Sequence, residues 1–184
     1  MSTKFFTNQD TNTLLNKFKG IFEHNTDIEN FDALVGYFRA SGYFKVRPFL
    51  DNVPHIRILV GIDVDKILAK YQSKGLLFQG DANQTLIEFL SEVKSDIQDA
   101  DYNQEIEEGI LQFIEDIATR KIEIKAHPSK KLHAKIYIFK PKGWNEHKSG
   151  YVITGSSNLT ENGLGGTDNF NYEFNVQLKD YDDV

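Results

Sequence analysis

Residues 55–62 read His-Ile-Arg-Ile-Leu-Val-Gly-Ile. A run this apolar, this rich in β-branched residues and too short for a helix folds as a buried strand, which needs cover on both faces. The flanking segments supply the cover. Leu14, Leu15, Phe18, Ile21 and Phe22 recur at helical spacing behind the candidate caps Asp10 and Thr11, which predicts an amphipathic first helix. A second strand is predicted over residues 31–38, a helix over 41–50 ending near Pro48, and another helix over 63–72 stopping by Gly75. Helical periodicity returns twice between residues 82 and 118, in the apolar stripes Leu86, Phe89, Leu90, Val93, Ile97 and Ile106, Ile110, Phe113, Ile114, Ile117, with a break near residues 100–103. Four more strands are predicted at 121–125, 132–140, 151–154 and 172–178. Strands alternating with helices predict an α/β fold, a three-layer α/β/α sandwich around a mostly parallel mixed sheet.

At 184 residues the chain has the size of one domain able to bury most of its apolar surface, and four prolines leave no proline-rich linker, so residues 1–184 are expected to form a single domain. The absence of cysteine excludes disulfides and cysteine-based zinc sites and fits an intracellular setting. Neither a signal-peptide run near the start nor a stretch approaching about 20 apolar residues is present, so a soluble, cytoplasmic protein is expected. The last residues, 179–184, bring no closing helix, as expected of a domain cut from a longer polypeptide.

A net charge of −6 argues against a nucleic-acid partner only until its distribution is read. Residues 82–118 carry ten acidic side chains against the single Lys94, whereas residues 119–148 carry eight lysines and Arg120 against only Glu123 and Glu146. The second stretch is either a solvated lysine-rich strand and loop or a local field that holds phosphates. Which of these applies depends on the motif inside it.

That motif begins with His133 and Lys135, two apart in Leu-His-Ala-Lys-Ile-Tyr-Ile-Phe. On a strand, residues i and i+2 share a face about 6 to 7 Å apart, which sets an imidazole beside an ammonium. An imidazole attacks phosphorus or passes protons near neutral pH, and an ammonium binds a non-bridging phosphate oxygen. Alone, the pair fits an exposed polar strand edge as well as a site. Some twenty residues on, the apolar run 151–154 enters Gly155-Ser156-Ser157-Asn158 and a predicted helix, a turn whose backbone N–H groups and Ser156 and Asn158 side chains can meet a phosphate at a strand's carboxyl end. Alone, this segment also serves as a plain helix cap.

Together, His133, Lys135, Gly155, Ser156 and Asn158 resemble the phospholipase D-like superfamily, whose motif reads His-x-Lys, four residues, Asp, then Gly-Ser-x-Asn. Lys140 occupies the Asp position. The chain is most similar to the nuclease branch, including phospholipase D-type restriction endonucleases and the N-terminal domains of bacterial helicases, in which a later acidic residue completes the site. Glu173, in Asn171-Tyr172-Glu173, supplies it here, and the segments 35–43 and 56–62 also look like the helicase-associated members. The resemblance implies a phospholipase D-like fold and a metal-independent phosphodiesterase without a cofactor, with His133, Lys135, Asn158 and Glu173 catalytic and Lys135, Ser156 and Asn158 binding phosphate. It implies DNA as partner, one histidine attacking phosphorus and a second protonating the leaving oxygen. The single motif copy then calls for a symmetric homodimer sharing its site, with Glu173 orienting the imidazole. A helicase domain beyond residue 184 is expected on the same ground, since no phosphate-cradling Gly-x-x-x-x-Gly-Lys motif occurs in the chain. The missing Asp supports an alternative, an inactive phosphate- and DNA-binding module that positions DNA for a motor domain. A lipid phosphodiesterase would want an apolar docking face, and none is legible.

His24, His55, His127 and His147 lack partners at metal-ligand spacing and are expected to be structural or surface residues. Tyr37, Phe38, Tyr43 and Phe44 are expected to pack in the core in preference to stacking on bases, while Trp144 sits in a lysine-flanked loop.

Overall fold

From Phe31 onward every second residue of Ile28–Val35 is buried, with Asp32 and Leu34 between them partly exposed, the period of a strand with one packed face. This strand is β2. Before it come β1 (Phe5–Thr7) and helix α1 (Leu14–His24), and after it α2 (Ala40–Val46), which passes into a single 3-10 turn (Arg47–Phe49). The remaining elements are β3 (His55–Val60), α3 (Gln104–Ala118), β4 (Ile122–Ala126), β5 (Lys135–Pro141), β6 (Tyr151–Gly155), α4 (Glu161–Leu164) and β7 (Phe174–Lys179). The computed structural model describes residues 4–36, 38, 40–60, 104–126, 133–165 and 170–179. The helices expected at 63–72 and in the first half of 82–118 lie outside the described residues.

The described strands form one mixed sheet in the order β1-β7-β6-β5-β2-β3-β4, so the fold is α/β as expected. The expected parallel majority is corrected. Only β2–β3 and β3–β4 pair in parallel, whereas β2–β5, β5–β6, β6–β7 and β1–β7 are antiparallel. The cause lies in the connections. A parallel partner needs a crossover of a dozen or more residues. Residues 142–150 between β5 and β6 are too few for that, whereas the longer connection 156–173 between β6 and β7 carries only the single-turn helix α4. The described helices α1, α2, α3 and α4 touch one another in a chain of contacts and supply one layer against the sheet.

The core forms where α1 meets the sheet. Phe18 lies edge-on to Phe31, Tyr137 and Phe139 at 5.6, 5.0 and 5.2 Å between ring centroids, in the geometry aromatic rings prefer. Ile56, Ile58 and Val60 of β3 and Ile122 and Ile124 of β4 extend the same buried face. Phe38 and Tyr43 are fully buried and Phe44 packs against the core, in line with the expected packing role, while Tyr37 lies outside the described residues. Helix α1 begins one turn later than the candidate caps suggested. Thr13, in extended backbone, accepts from the Asn16 N–H at 3.1 Å, whereas Asp10 sits in a turn at φ 52°. β1 was not anticipated, because three residues give no readable alternation.

One close backbone approach and one buried polar cluster hold the helices in place. Gly42 of α2 lies so close to the segment after β6 that a Cβ there would come within 2.6 Å of the Leu159 carbonyl oxygen and the Thr160 Cα. Buried Asp116 of α3 accepts from the Tyr43 hydroxyl at 2.6 Å and from Arg47 Nε and Nη2 at 2.5 and 3.1 Å, while Arg47 also reaches Asp51. Removing one partner from a buried pair leaves an uncompensated charge, and the remaining Asp51 contact limits the damage. Asp116→Ala is expected to lower stability by about 3 kcal/mol, read as a fall in the urea midpoint at unchanged slope.

Candidate functional site

The register places all the motif segments at one end of the sheet. Val35 at the carboxyl end of β2 pairs with both Lys135, the first residue of β5, and Val60, the last of β3. Thr154 at the end of β6 pairs with Val176, and Gly155 with Asn175 near the start of β7. The end of the sheet that gathers His133 and Lys135 therefore also gathers the turn at 155–158 and Glu173.

His133 does not lie on a strand. The β2–β5 ladder ends at Val35 and Lys135, residues 133 and 134 precede it outside any strand, and His133 is exposed. The expected side-by-side pair on one strand face is corrected accordingly. Lys135 Nζ instead turns back and donates to the His133 carbonyl oxygen at 2.8 Å. The Thr154 hydroxyl donates to the Lys135 carbonyl oxygen at 3.0 Å, tying the start of β5 to the end of β6.

The turn after β6 is fixed residue by residue. A Cβ on Gly155 would stand 2.2 Å from the Phe174 carbonyl oxygen and 2.5 Å from Asn175 Oδ1, so only glycine permits β7 to come this close. The Ser156 N–H donates to the Phe174 carbonyl oxygen and the Phe174 N–H to the Ser156 hydroxyl oxygen, both at 3.0 Å. The Ser156 hydroxyl in turn donates to Oε2 of Glu173, while Asn171 Nδ2 donates to Oε1 at 3.1 Å. Glu173 is buried and its carboxylate is oriented by these two partners. Among the described residues no hydrogen bond joins it to the His133 imidazole, so the expected Glu173–imidazole contact is not formed within one chain. Asn158 is half-buried at the end of the turn, and its carbonyl oxygen accepts from the Thr160 N–H at 2.9 Å. Thr160 caps the four-residue α4 by accepting from the Gly163 N–H at 3.0 Å.

Sequence reasoning missed the buried polar residues beneath this turn. Ser157 is fully buried, its hydroxyl accepting from Asn175 Nδ2 at 2.8 Å and its carbonyl oxygen from the Tyr137 hydroxyl at 2.9 Å. Asn8, after β1, donates to the Gly163 carbonyl oxygen at 2.7 Å and accepts from the Leu14 N–H at 3.0 Å, locking α4 to the start of α1. The alternation of β5 places Tyr137 inside, but nothing in the sequence told which polar side chains it would meet.

The basic stretch is dispersed. From Lys135 to Lys140 the strand advances roughly 16 Å, carrying Lys140 to the opposite end of the sheet, where its ammonium lies over the Trp144 ring at 5.5 Å. Lys142 and Lys148 belong to that far end too, Lys148 pairing with Asp27, and Lys121 reaches the Asp51 carbonyl oxygen. Residues 127–132 lie outside the described residues. An exposed aromatic cluster stands nearer the motif, where Phe5 and Phe174 stack at 5.7 Å with Tyr172 and Phe170 also exposed.

Residues 40–184, which contain the whole motif, match the model of the family described as cardiolipin synthase, PLD-like domain. The chain belongs to this phospholipase D-like family. No curated protein matches it. The family ties the chain to phosphodiester chemistry in general, and the phospholipase D-like motif residues are those gathered at the sheet end. Among the described residues no helix is long and apolar enough to cross a membrane, and no group of three or more His, Cys, Asp or Glu side chains is placed to hold a metal ion.

Burial, and after it the negative charge of Glu173, pushes the Tyr137 hydroxyl well above its ordinary 10.0. The folded chain keeps this proton where the unfolded chain releases it, so stability is present below about pH 10 and is lost as pH rises from there. Tyr43, raised by burial and by Asp116, acts in the same sense. Tyr137→Phe is expected to flatten, without abolishing, the fall in urea midpoint between about pH 9 and about pH 11.

Proposed function

We propose that the chain is a metal-independent phosphodiesterase acting on DNA, working as a homodimer whose two copies share one site, in the setting of a cytoplasmic nuclease module of a helicase or restriction-type protein. The observation that carries this reading is the convergence of His133, Lys135, Ser156, Asn158 and Glu173 at one end of the sheet. In this mechanism a ring nitrogen of one His133 attacks phosphorus and forms a P–N bond while the ester P–O bond breaks. The second copy's His133 gives its proton to the leaving oxygen. Water then attacks the phosphohistidine, the second His133 takes back a proton, and the P–N bond breaks to return the first imidazole. Lys135 and Asn158 hold the non-bridging oxygens as charge develops. A chain with one His-x-Lys copy has one imidazole for two roles, and its exposed position leaves it open to a second copy.

Two observations bear on the alternatives. The position of Lys140, at the far end of β5, favours catalysis over an inactive binding module, because the absent Asp removes no group from the sheet end that holds His133. The family description, together with the exposed Phe5–Phe174 stack, favours a lipid phosphodiester as the second reading of the substrate.

The purified protein, in excess EDTA, is expected to cleave DNA across the pH range of histidine, with His133→Ala losing at least about a thousand-fold in rate at unchanged stability. Turnover of phospholipid vesicles but not DNA would move the assignment to the lipid. Salt-sensitive DNA binding without cleavage would leave the binding module. Cleavage by a strictly monomeric species at dilution would sink the shared site.

A further inference from the structure

Asn175 is almost wholly buried, yet its Oδ1 has no partner among the described residues, while its Nδ2 donates to the Ser157 hydroxyl. An unpaired buried carbonyl is costly, and a leucine, with the same branching, would avoid the cost. What the amide holds is the one residue of the turn that faces inward. Either orientation of that amide keeps the bond, because a serine hydroxyl both donates and accepts. Tyr137 grips the same residue from β5 through its carbonyl oxygen, so Ser157 is fastened at side chain and backbone from two strands at once. The neighbours of Ser157 in the chain are Ser156, bonded to Glu173, and Asn158.

We infer that Asn175 and Ser157 are positioning residues for the phosphate-handling turn: their buried bond sets where Ser156 and Asn158 stand, and through Ser156 it sets the direction of the Glu173 carboxylate. The variable third position of Gly-Ser-x-Asn is thus constrained in this chain to a side chain small enough to be buried and able to bond to an amide. This rests on the phosphodiesterase reading of the site. It goes beyond that reading in assigning the precision of the turn to groups that never touch substrate. Asn175→Leu keeps the branched shape and removes the amide, and Ser157→Ala removes only the hydroxyl, so neither change opens a large cavity.

The test combines two readouts on the full chain. The first is DNA cleavage by the parent, Asn175→Leu, Ser157→Ala and the double variant. The second is titration with inorganic phosphate, followed by the backbone amide NMR signals of residues 155–158, which needs no turnover. Each single variant leaves one buried polar partner unpaired and is expected to lower the urea midpoint while staying folded, and to lose about ten- to a hundred-fold in kcat and about tenfold in phosphate affinity, with the double variant no worse than the singles because both act through one bond. Singles that cleave and bind phosphate like the parent overturn the inference, as does a double variant whose losses multiply. Should Asn175→Leu fail to fold, the decision falls to Ser157→Ala. Should the parent leave DNA uncut, the DNA-cleaving reading fails and phosphate affinity alone decides the positioning role, with a parent turn blind to phosphate overturning both.

Discussion

At Gly155 two backbones come closer than any side chain would allow, and the arrangement at the sheet end depends on that approach. With β7 this near, Ser156 and Phe174 exchange hydrogen bonds through backbone and hydroxyl, and the residue before Phe174, Glu173, comes within reach of the same hydroxyl. The period of an extended chain then divides β7 and its lead-in. Glu173 and Asn175 turn inward beneath the turn, and Phe174 turns outward to stack on Phe5 of β1. A Cβ at position 155 would force the strands apart and loosen the carboxylate, the turn and the edge strand together.

Support for this contact comes from a core that is aromatic where it needs to be stiff. Phe18, Phe22, Phe31 and Phe139 interlock between α1 and strands β2 and β5, and Tyr137 belongs to the same cluster. Rings have few rotamers and pack densely, so β5 is held along its buried face up to the point where Lys135 and His133 leave the ladder. Tyr137 serves both ends of this chain of contacts, its ring in the core and its hydroxyl on Ser157. Stability and site geometry are coupled through that one side chain.

Much of this was legible in the sequence. The apolar runs expected as strands at 31–38, 55–62 and 132–140 and the stripe Leu14, Phe18, Ile21, Phe22 each found an element, although β2 lies three residues earlier, at Ile28–Val35, β5 starts at Lys135, and β3 buries one face where two were expected. Strand direction was not legible, since alternation is the same in parallel and antiparallel ladders and a connection as long as residues 156–173 allows either. The end of β5 was misjudged for a related reason: His133 continues the pattern of β5, but the ladder stops where the neighbouring strand stops, and that is a property of β2. Within the site, His133, Lys135, Ser156 and Asn158 were named beforehand by their residue types and spacing, and Glu173 by the resemblance to the phospholipase D-like nucleases. Ser157, Asn175 and Asn8 were not, because a buried polar residue is known only by its partner, and those partners lie 18 residues away for Ser157 and 155 for Asn8 and Gly163.

The position of Lys140 bears on how such a motif should be read. Written as a string, His-x-Lys, four residues, Asp looks like one cluster whose last member has been lost. Written on a strand it is a ruler, because each residue advances about 3.3 Å and five steps carry the chain across the sheet. His133 and Lys135 stand at one end of β5 and Lys140 at the other, engaged with Trp144 in a cation–π contact of its own. The residues that share a place with His133 come instead from β6 and β7, far off in sequence and adjacent in register. The Glu173 carboxylate among them is already occupied by Ser156 and Asn171 within the chain. On the proposed mechanism, the imidazole's other requirements, a second proton donor and a group to orient it, are met by a second copy of the chain docking at this exposed end.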